Sequence, residues 1–367
     1  MGAKKEMLAK HDARPAIQNT KKFTYNGLPS SFKAMSAVIN AWQQPGTLPG
    51  HARLVTIAYS HYVERVRWVL DLSPLRNNYT EDCHPPGLAM FAVHGVTDGA
   101  ESSTPTLVLP DGEVVHDSNN ILPRLHELFP TPKGAPQTWA SGAGLAWLYP
   151  ATNAADVKSY EDRLADVLGA NIRQLAYTFL LDPKMWTELS RPGGSISRHT
   201  STVEVWLFSL VGGQIGRVMK KLMRCHENRL DACMEALDEI FAEASERLEA
   251  QKYLCGDSIT AADITFASLG YPAIFPPEHS PVDVITLDEL PPAWRACVDR
   301  WRATAAGQHI LFMYREHRWP RSKNSLGNPI SKVVLPKQGG PRDKIPCTSL
   351  LAVGGLVAAV CYMYVSL

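Results

Sequence analysis

The spacing of apolar residues changes from strand-like to helix-like soon after residue 50. Residues 54–58 form a short β-branched run, which predicts a strand. Four apolar residues then recur at helical spacing: Val63, Val66, Val69 and Leu70. A second strand is predicted at 79–83. Strand, helix and strand in this order indicate an α/β segment.

A β-hairpin and a helix complete this segment. The predicted hairpin strands, 106–109 and 113–116, flank the turn Pro110-Asp111-Gly112. A helix then opens at Asp117 or Ser118 and stops at Pro130. The order β-α-β followed by β-β-α predicts a thioredoxin-like domain over 51–130. Between its halves, residues 85–103 are rich in Gly and Pro, and we expect a mobile flap there.

Strand patterns end at Trp139, and helical periodicity takes over. Apolar residues repeat at helical spacing over 164–175 and 230–248. We expect a Pro/Gly-rich loop at 183–198 and a last helix over 294–314. The second predicted domain, residues 139–316, is therefore all-helical.

The formal net charge of +1 hides an uneven distribution. Residues 1–53 and 315–346 each carry +6, which leaves −11 for residues 54–314. A dedicated nucleic-acid-binding protein usually has a strongly basic domain, so this class is not favoured. We interpret residues 1–50 as a basic N-terminal extension and 317–346 as a basic linker rich in Pro and Gly.

Seven cysteines are scattered along the chain without C-x-x-C spacing. This pattern favours reduced thiols in a cytosol-facing protein over disulfides or a zinc site. We expect no metal.

The chain ends on an uncharged stretch, residues 347–367. As a helix these 21 residues would span roughly 32 Å, close to the thickness of a bilayer core. With Lys337, Arg342 and Lys344 before it, the positive-inside rule predicts a single-pass tail anchor with the body in the cytosol. The mitochondrial outer membrane and the endoplasmic reticulum both fit. The alternative is a buried C-terminal helix.

Small residues recur at four-residue spacing within that stretch, at Gly354 and Ala358 and at Gly355 and Ala359. Such spacing allows close helix packing in lipid, so a homodimer is one interpretation. The other is that small residues are tolerated there by chance.

Four local features carry candidate chemistry. Ser60 lies where the first helix begins; it can cap that helix, or its hydroxyl can stabilise a bound thiolate. Taken alone, the cap is favoured. Pro105 directly precedes a strand, where a cis bond would leave the backbone of Thr104 able to pair with an extended peptide.

Asp117 and Ser118 open the last helix of the α/β segment. Together they can hold an ammonium and a carboxylate, although an ordinary helix cap is the simpler interpretation. Thr260 and Asp263 have the spacing of a capping box, which is structural on either interpretation.

In this order the motifs resemble those of the glutathione transferase superfamily over residues 54–316. The strand-to-helix motif Ser60-His61-Tyr62-Val63-Glu64 is similar to a subgroup that reads Ser-His-Tyr-Cys-Glu-Lys. Three further stretches resemble the family's cis-proline segment, γ-glutamyl turn and helical signature: Ser103-Thr104-Pro105, Asp117-Ser118 and Thr260-Ala261-Ala262-Asp263.

The resemblance implies a role for each motif residue. Ser60 would activate the glutathione sulfur, Thr104 and Pro105 would hold its cysteinyl backbone, and Asp117 and Ser118 would bind its γ-glutamyl end. His61 is a possible neighbour of the site, or an exposed loop residue. Val63 replaces the subgroup's cysteine, so disulfide exchange is not expected.

The resemblance allows two functions. One is a membrane-anchored glutathione transferase that uses glutathione as co-substrate and conjugates it to hydrophobic electrophiles. The other is a catalytically inactive adaptor of the same fold, tethered to an organelle membrane. Trp147, Tyr149 and Tyr177 are candidates for an apolar wall, or else core residues.

Overall fold

The computed structural model describes residues 50–318, apart from 136–137, 192–193, 198–199, 201, 223–224, 226–228 and 280–284. Nearly all of the predicted N-terminal extension and basic linker, and the whole anchor at 347–367, lie outside the described residues. Within the described part, no helix is both long and apolar enough to cross a membrane.

The first half is built on a four-stranded sheet with the order β2-β1-β3-β4. Strands β1 and β2 are parallel, and the other two pairs are antiparallel. The strands are β1 Ala52–Thr56, β2 Tyr79–Cys83, β3 Thr106–Val108 and β4 Val114–His116. The helices are α1 His61–Asp71, α2 Ala89–Val96 and α3 Ser118–Leu128. This arrangement confirms the predicted thioredoxin-like α/β fold.

Helix α2 lies where a mobile flap was expected, so that expectation was wrong over Ala89–Val96. Phe91 and Val93 are buried in the core. Gly87, with φ of +82°, lets the chain approach Ile215 closely, since a Cβ there would lie 2.9 Å from its side chain. Burial of this run against β1 therefore fixes a helix that the short apolar run did not reveal.

The second half is helical, as predicted. Its helices are α4 Ala154–Arg163, α5 Ala170–Leu180, α6 Pro183–Ser190, α7 Thr202–Leu222, α8 Leu230–Ala250, α9 Ala261–Ile274, α10 Pro292–Arg302 and α11 Ala305–Met313. A π-helical turn, Leu164–Gly169, joins α4 to α5 without a break, and another, Tyr314–Arg318, follows α11.

Two boundaries differ from the expected ones. The predicted loop at 183–198 contains α6, because the Asp182 carboxylate accepts hydrogen bonds from the amides of Lys184 (3.0 Å) and Met185 (3.2 Å). The single last helix is instead two helices. Thr304 caps the second, since its hydroxyl accepts from the Gly307 amide at 3.0 Å.

The two halves meet at α1 and α9. Every residue of α9 is buried, and α9 packs against α1. The capping box at its start is confirmed: Asp263 Oδ2 accepts from the Thr260 amide at 2.9 Å, and Oδ1 accepts from the Leu254 amide at 2.9 Å and from His309 at 3.0 Å. Asp263 therefore anchors three segments of the helical half.

Buried charged residues form ion pairs along α1. Arg318 donates to Glu64 at 2.6 Å and to Asp71 at 2.8 Å, and Arg67 donates to Glu64 at 2.7 Å and also pairs with Glu81. Burial alone would raise the pKa of Glu64, but the charges of Arg318 and Arg67 outweigh it and lower that pKa to about 2. The helix that begins beside Ser60 is thus held rigidly at both ends.

Candidate active site

Three chain segments meet at one end of the sheet. β1 ends at Thr56 shortly before Ser60, β3 begins directly after Pro105, and β4 ends directly before Asp117. The antiparallel register sets these three ends side by side, and the Asp117 amide donates to the Pro105 carbonyl at 3.2 Å. The structure therefore brings the candidate residues of three distant motifs together.

Ser60 occupies the N-cap position of α1 but does not cap it through its side chain. Its carbonyl accepts the first helical hydrogen bond, from the Glu64 amide at 2.9 Å, whereas its hydroxyl forms no capping bond. The favoured interpretation of Ser60 as a side-chain cap was therefore wrong. The half-buried hydroxyl stands at the positive end of the helix dipole, where an anion is stabilised.

The bond between Thr104 and Pro105 is cis, as expected. Among the hydrogen bonds of the described residues, none engages the Thr104 backbone amide or carbonyl. That backbone remains able to pair with an extended ligand at the same end of the sheet.

Asp117 has an unusual backbone conformation, with φ of 71° and ψ of 133°. Its carboxylate Oδ1 accepts from the Asn119 amide at 2.9 Å, so the cap interpretation holds for this residue. A residue with a side chain costs about 1–3 kcal/mol in such a conformation, and such residues concentrate at binding sites. The exposed carboxylate can still meet a cation.

Ser118 is buried and lies beside a charge that the sequence analysis missed. The Arg65 guanidinium is fully buried; its Nη1 donates to Ser118 Oγ at 3.2 Å and to Asn119 Oδ1 at 2.6 Å. Its Nη2 forms a buried ion pair with Glu161. The Tyr149 hydroxyl also donates to Glu161, at 2.8 Å.

This Arg65–Glu161 pair ties the start of α3 to α1 and α4. The signal in the sequence was a charged residue one turn before Val69, on the apolar face of a predicted helix. Because its charge is neutralised by Glu161, Arg65 orients Ser118 without adding net charge to the site.

His61 is buried rather than exposed, and its ring is engaged by the helical half. Its Nε2–H donates to the Gly169 carbonyl at 3.1 Å. Burial lowers the pKa of His61 to about 3, so the imidazole is neutral at physiological pH. His61 therefore adjoins Ser60 in sequence, but its side chain links the α/β half to the helical half through this hydrogen bond.

The aromatic candidates separate into core and boundary residues. Trp147 and Tyr149 are buried, with Trp147 Nε1 donating to the Gly144 carbonyl at 3.0 Å. Tyr177 is only half-buried, and its phenol, after burial, raises the pKa of Tyr59. Only Tyr177 of the three lies near the segment that contains Ser60.

The described cysteines do not supply a reactive thiol. All five are free and buried, and burial raises the pKa of Cys83, the one that ends β2. In the part of the chain that the structure describes, no group of three or more His, Cys, Asp or Glu side chains is placed to hold a metal ion.

Two family models match the chain. Residues 54–133 match the glutathione S-transferase N-terminal domain, and residues 211–280 match the glutathione S-transferase C-terminal domain. No relative among curated proteins matches the sequence significantly.

Solved structures with a similar chain path include three proteins of low sequence identity. A glutathione transferase from Phanerochaete chrysosporium is 17% identical, covers 72% of this chain and 96% of its own, and has a TM-score of 0.44. The β-etherase LigF from Sphingobium sp. strain SYK-6 is 16% identical, covers 71% of this chain and 98% of its own, and has a TM-score of 0.42. A glutathione S-transferase of Ceriporiopsis subvermispora in complex with glutathione is 14% identical, covers 73% of this chain and 97% of its own, and has a TM-score of 0.42.

Proposed function

We propose that this chain is a member of the glutathione transferase superfamily that binds glutathione and conjugates its thiolate to electrophiles. The two domain matches support the proposal. One observation carries the proposal. The Ser60 hydroxyl makes no capping hydrogen bond and lies at the N-terminus of α1, at the same end of the sheet as Pro105 and Asp117.

The γ-glutamyl and cysteinyl parts of glutathione have partners of suitable chemistry there. The γ-glutamyl ammonium would meet the Asp117 carboxylate, and its carboxylate would meet the Ser118 hydroxyl, which Arg65 orients. The backbone of Thr104, before Pro105, would pair with the cysteinyl residue. An extended tripeptide bound this way would bring its sulfur towards Ser60.

The Ser60 hydroxyl would then donate to the sulfur and favour the thiolate. An ordinary thiol has a pKa of about 8.5, and a helix N-terminus lowers it. The thiolate attacks the electrophilic carbon, a carbon–sulfur bond forms, and the leaving group departs with the electron pair. The thiol proton passes to solvent, because burial lowers the pKa of His61 to about 3 and its imidazole is therefore too weak a base to accept it.

Ser60→Ala tests this role directly. Loss of a hydrogen bond to a charged sulfur costs about 1.5–3 kcal/mol, so we expect conjugation at pH 7 to fall roughly 10- to 100-fold. The pKa of bound glutathione should rise, while the free energy of unfolding stays unchanged because the hydroxyl caps nothing.

Thr304→Ala is the matched control. Its hydroxyl does cap a helix, so this variant should lose about 1 kcal/mol of stability and keep its conjugation rate. If wild-type protein binds no glutathione at millimolar concentration, the enzyme proposal is wrong, and the membrane-tethered adaptor becomes the better explanation.

We also propose that residues 347–367 anchor the protein in a membrane as a single-pass tail, with the body in the cytosol. The support is the uncharged 21-residue stretch with its basic flank. Deleting 347–367 should move the protein into the soluble fraction. A truncated protein that still pellets with membranes after a high-salt wash would contradict the anchor.

A further inference from the structure

One face of α5 lies directly across from the segment that contains Ser60. Gly169 ends the π-helical turn, and Arg173 and Tyr177 follow it at four-residue intervals on one side of α5. The Gly169 carbonyl contacts His61, and a Cβ on Gly169 would lie 2.8 Å from the Tyr62 hydroxyl. These contacts place Gly169 against the start of α1.

The other two positions continue along the same segment. The Arg173 guanidinium carbon lies 5.7 Å from the centre of the Tyr62 ring, and its charge also acts on His61. After burial, the Tyr177 phenol is the next cause that raises the pKa of Tyr59. Arg173 therefore lies against Tyr62, two residues after Ser60.

Arg173 differs from the buried arginines that contact α1. Arg65, Arg67 and Arg318 each pair with at least one carboxylate. Within the described residues, Arg173 forms no ion pair or hydrogen bond, although it is half-buried; its partner is the Tyr62 ring. Burial raises the pKa of Tyr62, Arg173 lowers it, and the Asp117 and Asp166 carboxylates raise it, but neither carboxylate forms an ion pair with Arg173.

We infer that Arg173 binds an anionic group on the electrophile, so that the preferred acceptor is an aromatic or otherwise flat molecule carrying a carboxylate, sulfonate or phosphate. The inference rests on the proposed function for the position of the sulfur. A partly desolvated guanidinium without a counter-ion gains most from an anion that it can bind through two N–H groups. The Tyr62 ring, only partly buried, lies against the guanidinium and offers a surface on which a flat acceptor can stack. This narrows the substrate class from hydrophobic electrophiles in general to anionic ones.

A matched pair of acceptors tests the inference by kinetics with the full chain. 1-Chloro-2,4-dinitrobenzene is neutral, and 4-chloro-3,5-dinitrobenzoate is a related chloroarene that carries a carboxylate. In both, the glutathione sulfur bonds to the ring carbon and chloride leaves with the electron pair. We expect wild type to have the lower KM for the benzoate. Arg173→Gln should raise that KM about tenfold or more, with little change for the neutral acceptor.

Arg173→Lys should retain part of the preference, because it keeps the charge but not the two-pronged geometry. Arg217→Gln makes the same change in net charge on the exposed face of α7 and should leave both KM values unchanged. Equal KM values for the two acceptors in wild type, or an unchanged ratio in Arg173→Gln, would overturn the inference. A KM for glutathione that rises in Arg173→Gln, with the acceptor ratio constant, would assign Arg173 to glutathione and overturn it as well.

Binding without turnover separates this inference from the proposed function. 3,5-Dinitrobenzoate and 1,3-dinitrobenzene lack a leaving group, and quenching of tryptophan fluorescence reports their binding. If wild type conjugates nothing yet binds the benzoate about tenfold more tightly than the neutral compound, and Arg173→Gln abolishes the difference, the anion site stands and the transferase proposal fails. Equal binding of both compounds by wild type refutes the anion site whatever the conjugation result.

Discussion

Replacing Glu161 by Gln tests whether the buried Arg65–Glu161 pair supports the site. Both side chains are fully buried. Removing one charge from such a pair typically costs about 3–5 kcal/mol, because the other is left buried without a counter-charge. Arg65 keeps Ser118 Oγ and Asn119 Oδ1 as acceptors, so we expect the low end of that range, about 3 kcal/mol.

Urea denaturation followed by tryptophan fluorescence measures this loss. Glu188→Gln is the control: its pair with Arg191 is exposed, and such pairs contribute about 0–1 kcal/mol. Since Arg65 orients Ser118, glutathione should also bind more weakly to Glu161→Gln. Replacing both partners by Met should recover part of the stability but not of the binding. A loss no larger than that of Glu188→Gln would refute the reasoning.

Three further predictions concern other buried or strained groups. Asp263→Ala should lose about 3 kcal/mol or more in urea denaturation, because the carboxylate accepts from Leu254 and His309 as well as from Thr260; a loss of about 1 kcal/mol would show that only the cap matters. Asp117→Asn should keep the helix cap and the stability but weaken glutathione binding in calorimetry, and unchanged binding would remove Asp117 from the site. His84 lies between Asp82 and Glu204; burial alone would lower its pKa, but the two carboxylates raise it from 6.5 to about 9. Its contribution to stability is therefore complete below about pH 6.5 and is lost as the pH rises through 9, with a slope of up to about 1.4 kcal/mol per pH unit. Denaturation curves for His84→Gln should lack this slope, and a slope identical to wild type would contradict the assignment.

Much of the fold could be predicted because local patterns and tertiary packing agree there. The β-branched run of 54–58, the turn Pro110-Asp111-Gly112 and the helical spacing over 230–248 each specify an element without help from distant residues. Helix α2 could not be predicted in this way, because Gly and Pro surround its short apolar run. Its stability comes from burial of that run against β1.

For the site, the sequence supplied the motifs and their order, and the structure decided what each residue is able to do. Ser60 at a helix start is compatible with a cap or with a free hydroxyl, and only the orientation of its side chain distinguishes them. His61 next to it could have been exposed. The Gly169 carbonyl, 108 residues away, engages its ring instead.

By itself, the sequence determined the two-part α/β and helical organisation, the candidate residues Ser60, Pro105, Asp117 and Ser118, and the uncharged C-terminal stretch. Those features depend on periodicity, turn chemistry and spacing, which are local properties. Tertiary structure alone decided that Arg65 is neutralised by Glu161 while Arg173 has no carboxylate partner among the described residues. Pairing between charges depends on which helices pack together, and residues so far apart in the chain carry no local signal of it.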